Sequence, residues 1–329
     1  MSQSGHAFWT RYLTGAAAVC VGVAAPLTLL RFVGWLYPLE LASHFQVQLC
    51  AISVAATFVL LATGRWWWAM GGLLTAVMTG SAIAPFALGS LSGAAYAAPD
   101  DGGGRLRLML ANVLGSNHRH QRLLDLIEDS SPDILVLQEV NASWMSALQT
   151  LRDAYPYMIS GPREDNFGIA VFSRLPLAEA AVHTLGEAGL PSLSMRVDVG
   201  GVELTLLATH PTPPIPARRF HLRNDQLARL GELIDSSSRP LVLVGDLNMT
   251  MWSPWYRRLT GTRRLFNSRR GFGVQGSWPA CLPEFLRLPI DHCLLSDGLS
   301  VAGCSLGPDI GSDHLPLLVD LLVYGSEDR

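Results

Sequence analysis

The chain has 329 residues, of which 16% are charged and 49% are hydrophobic. Soluble globular proteins carry about 25% charged residues, so this composition excludes one uniform soluble globule, and its apolar content excludes a disordered chain. Residues 1–99 contain only four charged side chains, whereas residues 100–329 contain 21 basic and 26 acidic ones, a net charge of −5. That contrast excludes an all-membrane transporter, and the acidic C-terminal part argues against a non-specific nucleic-acid binder.

Three charge-free intervals divide the N-terminal part, at residues 12–30, 41–64 and 66–99. A helix that crosses the hydrocarbon layer needs about 20 apolar residues. Each interval therefore predicts one span, near residues 12–34, 45–63 and 67–91. Together the spans predict a membrane anchor over residues 1–97.

A signal peptide is the alternative for the first span, because its apolar core is about 7–15 residues long. The stretch Ala94–Ala98 has the small residues of a cleavage site. Cleavage there would remove the whole anchor, so three spans are the favoured interpretation.

The arginines that flank the spans indicate their direction. Arg11 and Arg65 fall on one side of the predicted spans and Arg31 falls on the other. The positive-inside rule assigns the side with more arginine to the cytoplasm. We therefore predict a multi-pass protein of the inner or plasma membrane, with residues from 100 onward outside the cytoplasm.

A Gly-rich segment over residues 98–104 predicts a flexible linker, and residues 105–329 form a second predicted domain. Short apolar runs alternate there with helical periodicity. The predicted strands are Leu106–Asn112, Ile134–Gln138, Ile169–Ser173, Leu193–Val199, Leu204–His210, Leu241–Gly245, His292–Ser296 and Pro316–Val323. The predicted helices are His120–Ser130, Ala142–Ala154, Arg218–Ser236 and Pro254–Thr260. This order predicts an α/β domain with two sheets inside and helices outside.

The cysteines of this domain, Cys281, Cys293 and Cys304, follow no CxxC spacing. An extracytoplasmic location would permit a disulfide between two of them. Buried free thiols are the simpler expectation.

Polar side chains recur where the apolar strands end, the positions from which loops carry function on a rigid scaffold. Oxygen ligands among them favour a hard cation, Mg²⁺ or Mn²⁺, over zinc. Amides and imidazoles beside such a cation indicate phosphoryl transfer, because they donate hydrogen bonds to phosphate oxygens while the cation neutralises charge. The set comprises Glu139, Asp246, Asp291, Asp313, Asn112, Asn248, His210 and His314.

Each of these residues alone is more often a cap or a turn residue, so the prediction depends on their conjunction. The chain contains no lysine and hence no Gly-x-x-x-x-Gly-Lys loop, which excludes a P-loop nucleotide hydrolase. It contains no Gly-x-Ser-x-Gly either, so nothing supports a serine hydrolase.

The ordered set resembles the endonuclease/exonuclease/phosphatase superfamily, which has the fold of DNase I. The motifs Leu137-Gln138-Glu139, Gly245-Asp246-Leu247-Asn248 and Ser312-Asp313-His314 occur in family order, and the likeness covers roughly residues 105–323. The resemblance implies a four-layer α/β/β/α sandwich with its site at one edge, here preceded by three transmembrane helices. The combination also resembles a membrane-anchored bacterial branch, some members of which are linked to lipid-pyrophosphate dephosphorylation.

The resemblance implies a metal site and a phosphate site. It makes Glu139 the principal metal ligand, with Asn112 near the metal and the phosphate. It makes Asp313 a metal ligand or the residue that orients the ring of His314.

The remaining roles concern catalysis. The resemblance implies that His210 contacts the phosphate or protonates the leaving oxygen, and that Asp246 orients or activates water. Asn248 would hold a phosphoryl oxygen, and Asp291 would lie close to His210 or the metal. His314 would stabilise the phosphorane or act as the base, and the identity of the base stays open.

Two further segments are candidates for substrate binding. Arg257 and Arg258 belong to an Arg-rich stretch that is suited to anionic headgroups or a second phosphate, with a solvated helix end as the alternative. Asn166 is a candidate for shaping the pocket, although an ordinary turn residue is the simpler interpretation.

Three functions follow as hypotheses. The first is a membrane-anchored, Mg²⁺- or Mn²⁺-dependent phosphohydrolase on a lipid-linked phosphate or pyrophosphate, where anchoring raises the effective substrate concentration. The alternative is an endonuclease or exonuclease, which the net charge of residues 100–329 disfavours for chromosomal DNA. The third is a catalytically silent membrane scaffold, against which the complete polar set argues.

Overall fold

The computed structural model describes residues 3–88 and 104–324, and side chains from Ala7 onward. Its chain divides into two compact units. One comprises Met1–Pro85 with the segment Met251–Pro254, and the other comprises Phe86–Thr250 with Trp255–Arg329. The predicted cleavage site and most of the predicted linker lie outside the described residues.

The first unit is helical. Its elements are α1 (Gln3–Val33), α2 (Leu39–Ala42), a 3₁₀ turn at Ser43–Phe45, α3 (Gln46–Ala62) and α4 (Trp66–Ala87, whose last two residues belong to the second unit). Three helical segments are long and apolar enough to cross a membrane, namely Ala7–Val33, Leu39–Ala62 and Trp66–Ala87.

The helices of this unit pack through small residues, which allow close approach of their backbones. Ala17 and Val21 of α1 contact a cluster that includes Ala56 of α3 and Ala69 of α4. Large apolar side chains face outward instead, and Trp67 is 85% exposed. An apolar exterior around a small-residue interior is the pattern expected of helices in lipid.

The predicted spans 12–34, 45–63 and 67–91 each overlap one of these helices. The first helix begins earlier, at Gln3, because hydrogen bonding along a helix does not have to stop where the apolar run does. Residues 89–91 of the third predicted span lie outside the described residues.

The second unit contains two six-stranded sheets. The first sheet has the order β11-β12-β1-β2-β4-β3 and the second has the order β5-β6-β7-β8-β10-β9. The strands are β1 (Gly104–Asn112), β2 (Ile134–Gln138), β3 (Tyr157–Gly161), β4 (Ile169–Ser173), β5 (Ala178–Leu185), β6 (Leu190–Val199), β7 (Val202–Thr209), β8 (Leu241–Asp246), β9 (Phe266–Asn267), β10 (Asp291–Leu295), β11 (Leu299–Leu306) and β12 (Leu317–Val323).

The helices of this unit cover the outer faces of the sheets. They are α5 (His120–Ser130), α6 (Ala142–Ala147), α7 (Ala217–Asp235) and α8 (Pro254–Gly261, whose first residue belongs to the helical unit). One core lies between the sheets and contains Leu108 and Val136 from the first sheet with Leu206 and Val244 from the second. A second core packs α5 and α6 on the first sheet. These layers confirm the predicted four-layer sandwich.

The strand predictions succeed for buried strands and fail at the edges. β2 and β4 have the predicted bounds because each is a buried apolar run. The edge strands β3, β5 and β11 were not predicted, since their exposed faces carry no clear alternation. The short edge strand β9 was missed as well.

The predicted helix Ala142–Ala154 is wrong in length. α6 ends at Ala147, and a 3₁₀ turn follows at Leu148–Leu151. Pro156 disfavours helical backbone at the residue before it, so the chain turns towards β3. Among the cysteines, Cys293 and Cys304 are buried free thiols as expected, whereas Cys281 is exposed.

The strand pairing places the ends of β1 and β2 side by side in the first sheet, and the ends of β7 and β8 beside the start of β10 in the second. β1 and β2 are parallel and in register at Asn112 and Gln138. β7 and β8 are parallel in the second sheet, and β10 pairs antiparallel with β8 so that Asp291 lies opposite Asp246. The predicted polar set therefore gathers where these strands begin or end.

Candidate active site

Glu139 and Asn112 form the part of the site that the first sheet supplies. Asn112 ends β1 and Glu139 directly follows β2. The Asn112 amide Nδ2 donates to Glu139 Oε1 at 2.9 Å, and the backbone N–H of Gly115 approaches Oε2 at 3.4 Å. These bonds orient a carboxylate whose other lone pairs stay available to a ligand.

Asp246, at the end of a strand of the second sheet, lies between the imidazoles of His210 and His314. His210 directly follows β7 and Asp246 ends β8, and both side chains are buried. Asp246 Oδ2 lies 3.5 Å from Nε2 of His210 and 3.7 Å from Nε2 of His314. One carboxylate oxygen thus faces both ring nitrogens at ion-pair distance, and both contacts are longer than a hydrogen bond.

Asp291 and His314 form a buried hydrogen-bonded pair. Nδ1 of His314 lies 2.9 Å from Asp291 Oδ2. Burial alone would lower the pKa of His314, but the negative charges of Asp291, Asp246 and Asp313 and the hydrogen bond to Asp291 raise it to about 10. Burial would likewise raise the pKa of Asp291, yet His314 holds it below its ordinary value. Both shifts favour an imidazolium at His314 beside a carboxylate at Asp291.

Asn248 is fixed by three contacts. Its backbone N–H donates to Asp246 Oδ1 at 2.8 Å, and its side-chain Nδ2 donates to the Pro211 carbonyl at 2.9 Å. Its own carbonyl accepts from Nη1 of the buried Arg223 at 3.1 Å. The side chain is thereby held beside the loop that follows His210.

Asp313 occupies a different environment from its neighbour His314, because its side chain is exposed. The indole Nε1 of Trp278 donates to Asp313 Oδ2 at 3.0 Å. Sequence reasoning did not assign Trp278. Nor did it assign Ser312, whose hydroxyl donates to the Asn112 carbonyl and accepts from the His314 backbone N–H. No short-range signal marks either contact.

The predicted substrate-binding residues fall in two places. Asn166 lies beside Gly115, where an added Cβ would be 3.1 Å from the Asn166 Oδ1. The next residue, Phe167, packs against the His210 ring with 5.5 Å between ring centroids. Arg257 and Arg258 lie on α8, where the Arg258 guanidinium covers the Trp255 ring. Their role in binding stays a prediction.

His292 is adjacent to the site but takes no part in proton transfer. Its Nε2 lies 2.8 Å from the Met249 carbonyl and its Nδ1 lies 3.1 Å from Nδ2 of Asn267. Burial and the positive charge of Arg269 lower its pKa to about 3. The neutral His292 ring uses both of its nitrogens in hydrogen bonds. It therefore has a structural role, because it links β10 to the loop after β8.

Four of the eight non-glycine residues with left-handed backbone in the described part of the chain belong to loops around this edge. Leu114, Glu139, Asn166 and Asn248 have φ between 51° and 65°, a conformation that costs free energy in non-glycine residues. Such strain is maintained where the surrounding structure determines it, and functional sites are the usual location.

The donor set fits a hard divalent cation. Glu139 and Asn112 offer oxygen atoms, which Mg²⁺ and Mn²⁺ prefer. Within the described chain, potential ligand atoms of Asp246, Asp291 and His314 lie within 4.8 Å of one another. His314 has no free lone pair while it is an imidazolium, so the group is better suited to proton handling. The assignment of Glu139, Asn112 and Asp313 as ligands stays a prediction.

Comparisons with known proteins agree with this geometry. The model of the Endonuclease/Exonuclease/phosphatase family matches residues 109–314. No curated protein matches the chain.

Solved structures share the fold. An endonuclease/exonuclease/phosphatase from Beutenbergia cavernae is 22% identical with a TM-score of 0.55, and the match covers 69% of this chain and 73% of that one. The human Nocturnin catalytic domain with bound sulfate is 22% identical with a TM-score of 0.55, covering 66% and 93%. TDP2 from D. rerio, complexed with a single-strand DNA product, is 16% identical with a TM-score of 0.53, covering 66% and 98%.

Proposed function

This chain belongs to the endonuclease/exonuclease/phosphatase family, whose members are metal-dependent phosphoester hydrolases, and we propose that it is a membrane-anchored phosphohydrolase that uses Mg²⁺ or Mn²⁺. The observation that carries the proposal is the convergence of two sheets on one edge. Glu139 and Asn112 arrive from the first sheet, and His210, Asp246 and Asp291 arrive from the second.

The described contacts support separate roles for the residues, with one group binding the cation and the other transferring protons. Glu139 and Asn112 would hold the divalent cation, with Asp313 as a further candidate ligand. A bound divalent cation neutralises charge on the phosphate and so favours attack by water. The rise in His314 pKa would be smaller with a cation nearby, because like charges oppose one another.

Groups from the second sheet, together with His314 from the loop before β12 of the first sheet, would serve proton transfer and charge stabilisation. Asp246 Oδ2 would accept a proton from water, since it is a carboxylate oxygen that faces both His210 and His314. The imidazolium of His314 stabilises negative phosphoryl oxygens. His210 protonates the leaving oxygen, and the second N–H of the Asn248 amide donates to a phosphoryl oxygen.

We further propose that the substrate is a lipid-linked phosphate or pyrophosphate. Three helices with the length and apolar surface of membrane spans support anchoring. The arginine distribution supports an extracytoplasmic catalytic domain in the inner or plasma membrane. The family resemblance to a membrane-anchored branch points to the same substrate class.

Phosphate release by the full-length protein in detergent tests this function. We expect hydrolysis in the presence of Mg²⁺, loss of activity with a chelator, and recovery when Mg²⁺ is restored in excess. An activity that is indifferent to chelation would contradict the metal role.

A substrate panel separates the phosphohydrolase from its alternative. Isoprenyl pyrophosphate, a sphingomyelin-like lipid, an inositol phosphate and plasmid DNA are compared under one set of conditions. The proposal predicts the highest kcat/KM for a lipid-linked substrate. Preferential cleavage of plasmid DNA would instead identify a nuclease.

A further inference from the structure

Gln138 connects the two sheets at the edge where the site lies. It is the last residue of β2, and its side chain is completely buried. Its Nε2 donates to the Thr209 carbonyl at 2.7 Å, and its Oε1 accepts from the Asp246 backbone N–H at 2.9 Å. Both partners belong to the second sheet, whereas Gln138 belongs to the first.

The amide bridges a place where backbone pairing stops. β7 and β8 are paired in parallel from Thr205 with Leu241 to Ala208 with Val244. Thr209 and Asp246 lie just beyond the last pair, and the Gln138 amide bonds one backbone group of each. The side chain therefore takes the place of the next step of the ladder and holds the two strand ends at a set separation.

The fit around this amide is close. A Cβ on Gly245 would collide with the Thr209 carbonyl oxygen and would lie 2.8 Å from Gln138 Nε2. Only a neutral side chain with one donor and one acceptor satisfies both buried backbone groups. Glutamate lacks the donor, and methionine lacks both groups at nearly the same volume.

Three site residues depend directly on these contacts. Glu139 follows Gln138 in the chain, His210 follows Thr209, and Asp246 itself donates one of the hydrogen bonds. We propose that Gln138 is a positioning residue that fixes the separation between Glu139 on one sheet and the His210–Asp246 pair on the other. This inference depends on the proposed phosphohydrolase function, and it assigns Gln138 no contact with substrate.

Gln226 provides a matched control. Its side chain is also completely buried, and its Nε2 lies 3.5 Å from the hydroxyl oxygen of the same Thr209. It contacts the Thr209 side chain and not the backbone groups that carry His210 and Asp246. Gln226→Met removes a buried amide from the same neighbourhood without removing the bridge.

The test compares Gln138→Met and Gln226→Met in the full-length protein. Thermal melting and steady-state hydrolysis of bis(p-nitrophenyl) phosphate with MgCl₂ are measured for both variants. We expect similar decreases in melting temperature. We expect Gln138→Met to lower kcat by about 100-fold with KM within about threefold, because misplacement of catalytic groups by about 1 Å costs that much. Gln226→Met is expected to keep kcat within about threefold of wild type.

Gln138→Glu is the second test variant, for use if Gln138→Met does not fold. It keeps the side-chain volume and the acceptor for the Asp246 N–H, and it loses the donor to the Thr209 carbonyl. It is expected to lose kcat without a matching change in KM. Equal kcat for the Gln138 and Gln226 variants would overturn the positioning role. A wild-type protein that hydrolyses neither this diester nor any of the panel substrates would instead overturn the proposed function, and the inference with it.

Discussion

Asp246→Asn is expected to lower the kcat of metal-dependent phosphate release by about 10³-fold. The substitution keeps the size of the side chain and the hydrogen bond from the Asn248 backbone N–H to Oδ1. It removes the anionic Oδ2 that faces His210 and His314. General acid–base groups contribute about 10²–10⁴-fold to rates, and here one oxygen serves two imidazoles.

The measurement is kcat with the best substrate of the panel at saturating Mg²⁺. Asp129→Asn on the exposed face of α5 is the matched control, because it makes the same chemical change far from the polar set. Melting temperatures of both variants verify that the fold is retained. If Asp246→Asn kept kcat within a few-fold of the control, Asp246 would not be the proton acceptor.

Glu139→Gln is expected to raise the Mg²⁺ concentration required for half-maximal activity by at least about 100-fold. Glutamine keeps an oxygen that accepts from Asn112 Nδ2, and it loses only the longer 3.4 Å contact from the Gly115 N–H to Oε2. The negative charge is lost, and a hard cation loses its carboxylate ligand. Substitution of a residue that only hydrogen-bonds to a metal ligand lowers metal affinity by about 10–100-fold. Substitution of a direct ligand is therefore expected to lower the affinity further.

The readout is a Mg²⁺ titration of hydrolysis at fixed substrate. Glu128→Gln, an exposed glutamate on α5, is the control. Activity of Glu139→Gln that recovers fully at high Mg²⁺ would agree with a ligand role. An unchanged midpoint would mean that the cation is held elsewhere.

The buried parts of the fold could be predicted from the sequence because burial leaves a local signal. β2 and β4 are continuous apolar runs bounded by turn residues. That pattern alone is enough to predict a fully buried strand. The edge strand β5 has five of its eight residues exposed and pairs on one side only, so its sequence is not a continuous apolar run.

The site residues could be predicted in kind because carboxylates, amides and imidazoles at strand ends stand out against apolar strands. Their partners could not. Trp278 reaches Asp313 across 35 positions of sequence and Ser312 reaches Asn112 across 200. In the sequence, Gln138 is only the middle residue of the Leu-Gln-Glu motif. The hydrogen bonds from its amide to the second sheet can be identified only in the folded structure.

The resemblance assigned Asp313 and His314 as one closing pair, and the structure separates their surroundings. His314 is buried against Asp291, while Asp313 is exposed and bonded to Trp278. Both residues lie in the bend before β12, where the chain directs one side chain inward and the next to solvent. The sequence alone therefore indicates that both are polar but not which of them enters the buried cluster.

Anomalous diffraction from crystals of the full-length protein soaked with Mn²⁺ is the most direct test of the central claim. The account predicts a manganese peak within coordination distance of a Glu139 carboxylate oxygen, on the side of the site that faces Asp246. A fully occupied peak without Glu139 among its ligands, or no peak at this edge at saturating Mn²⁺, would contradict it.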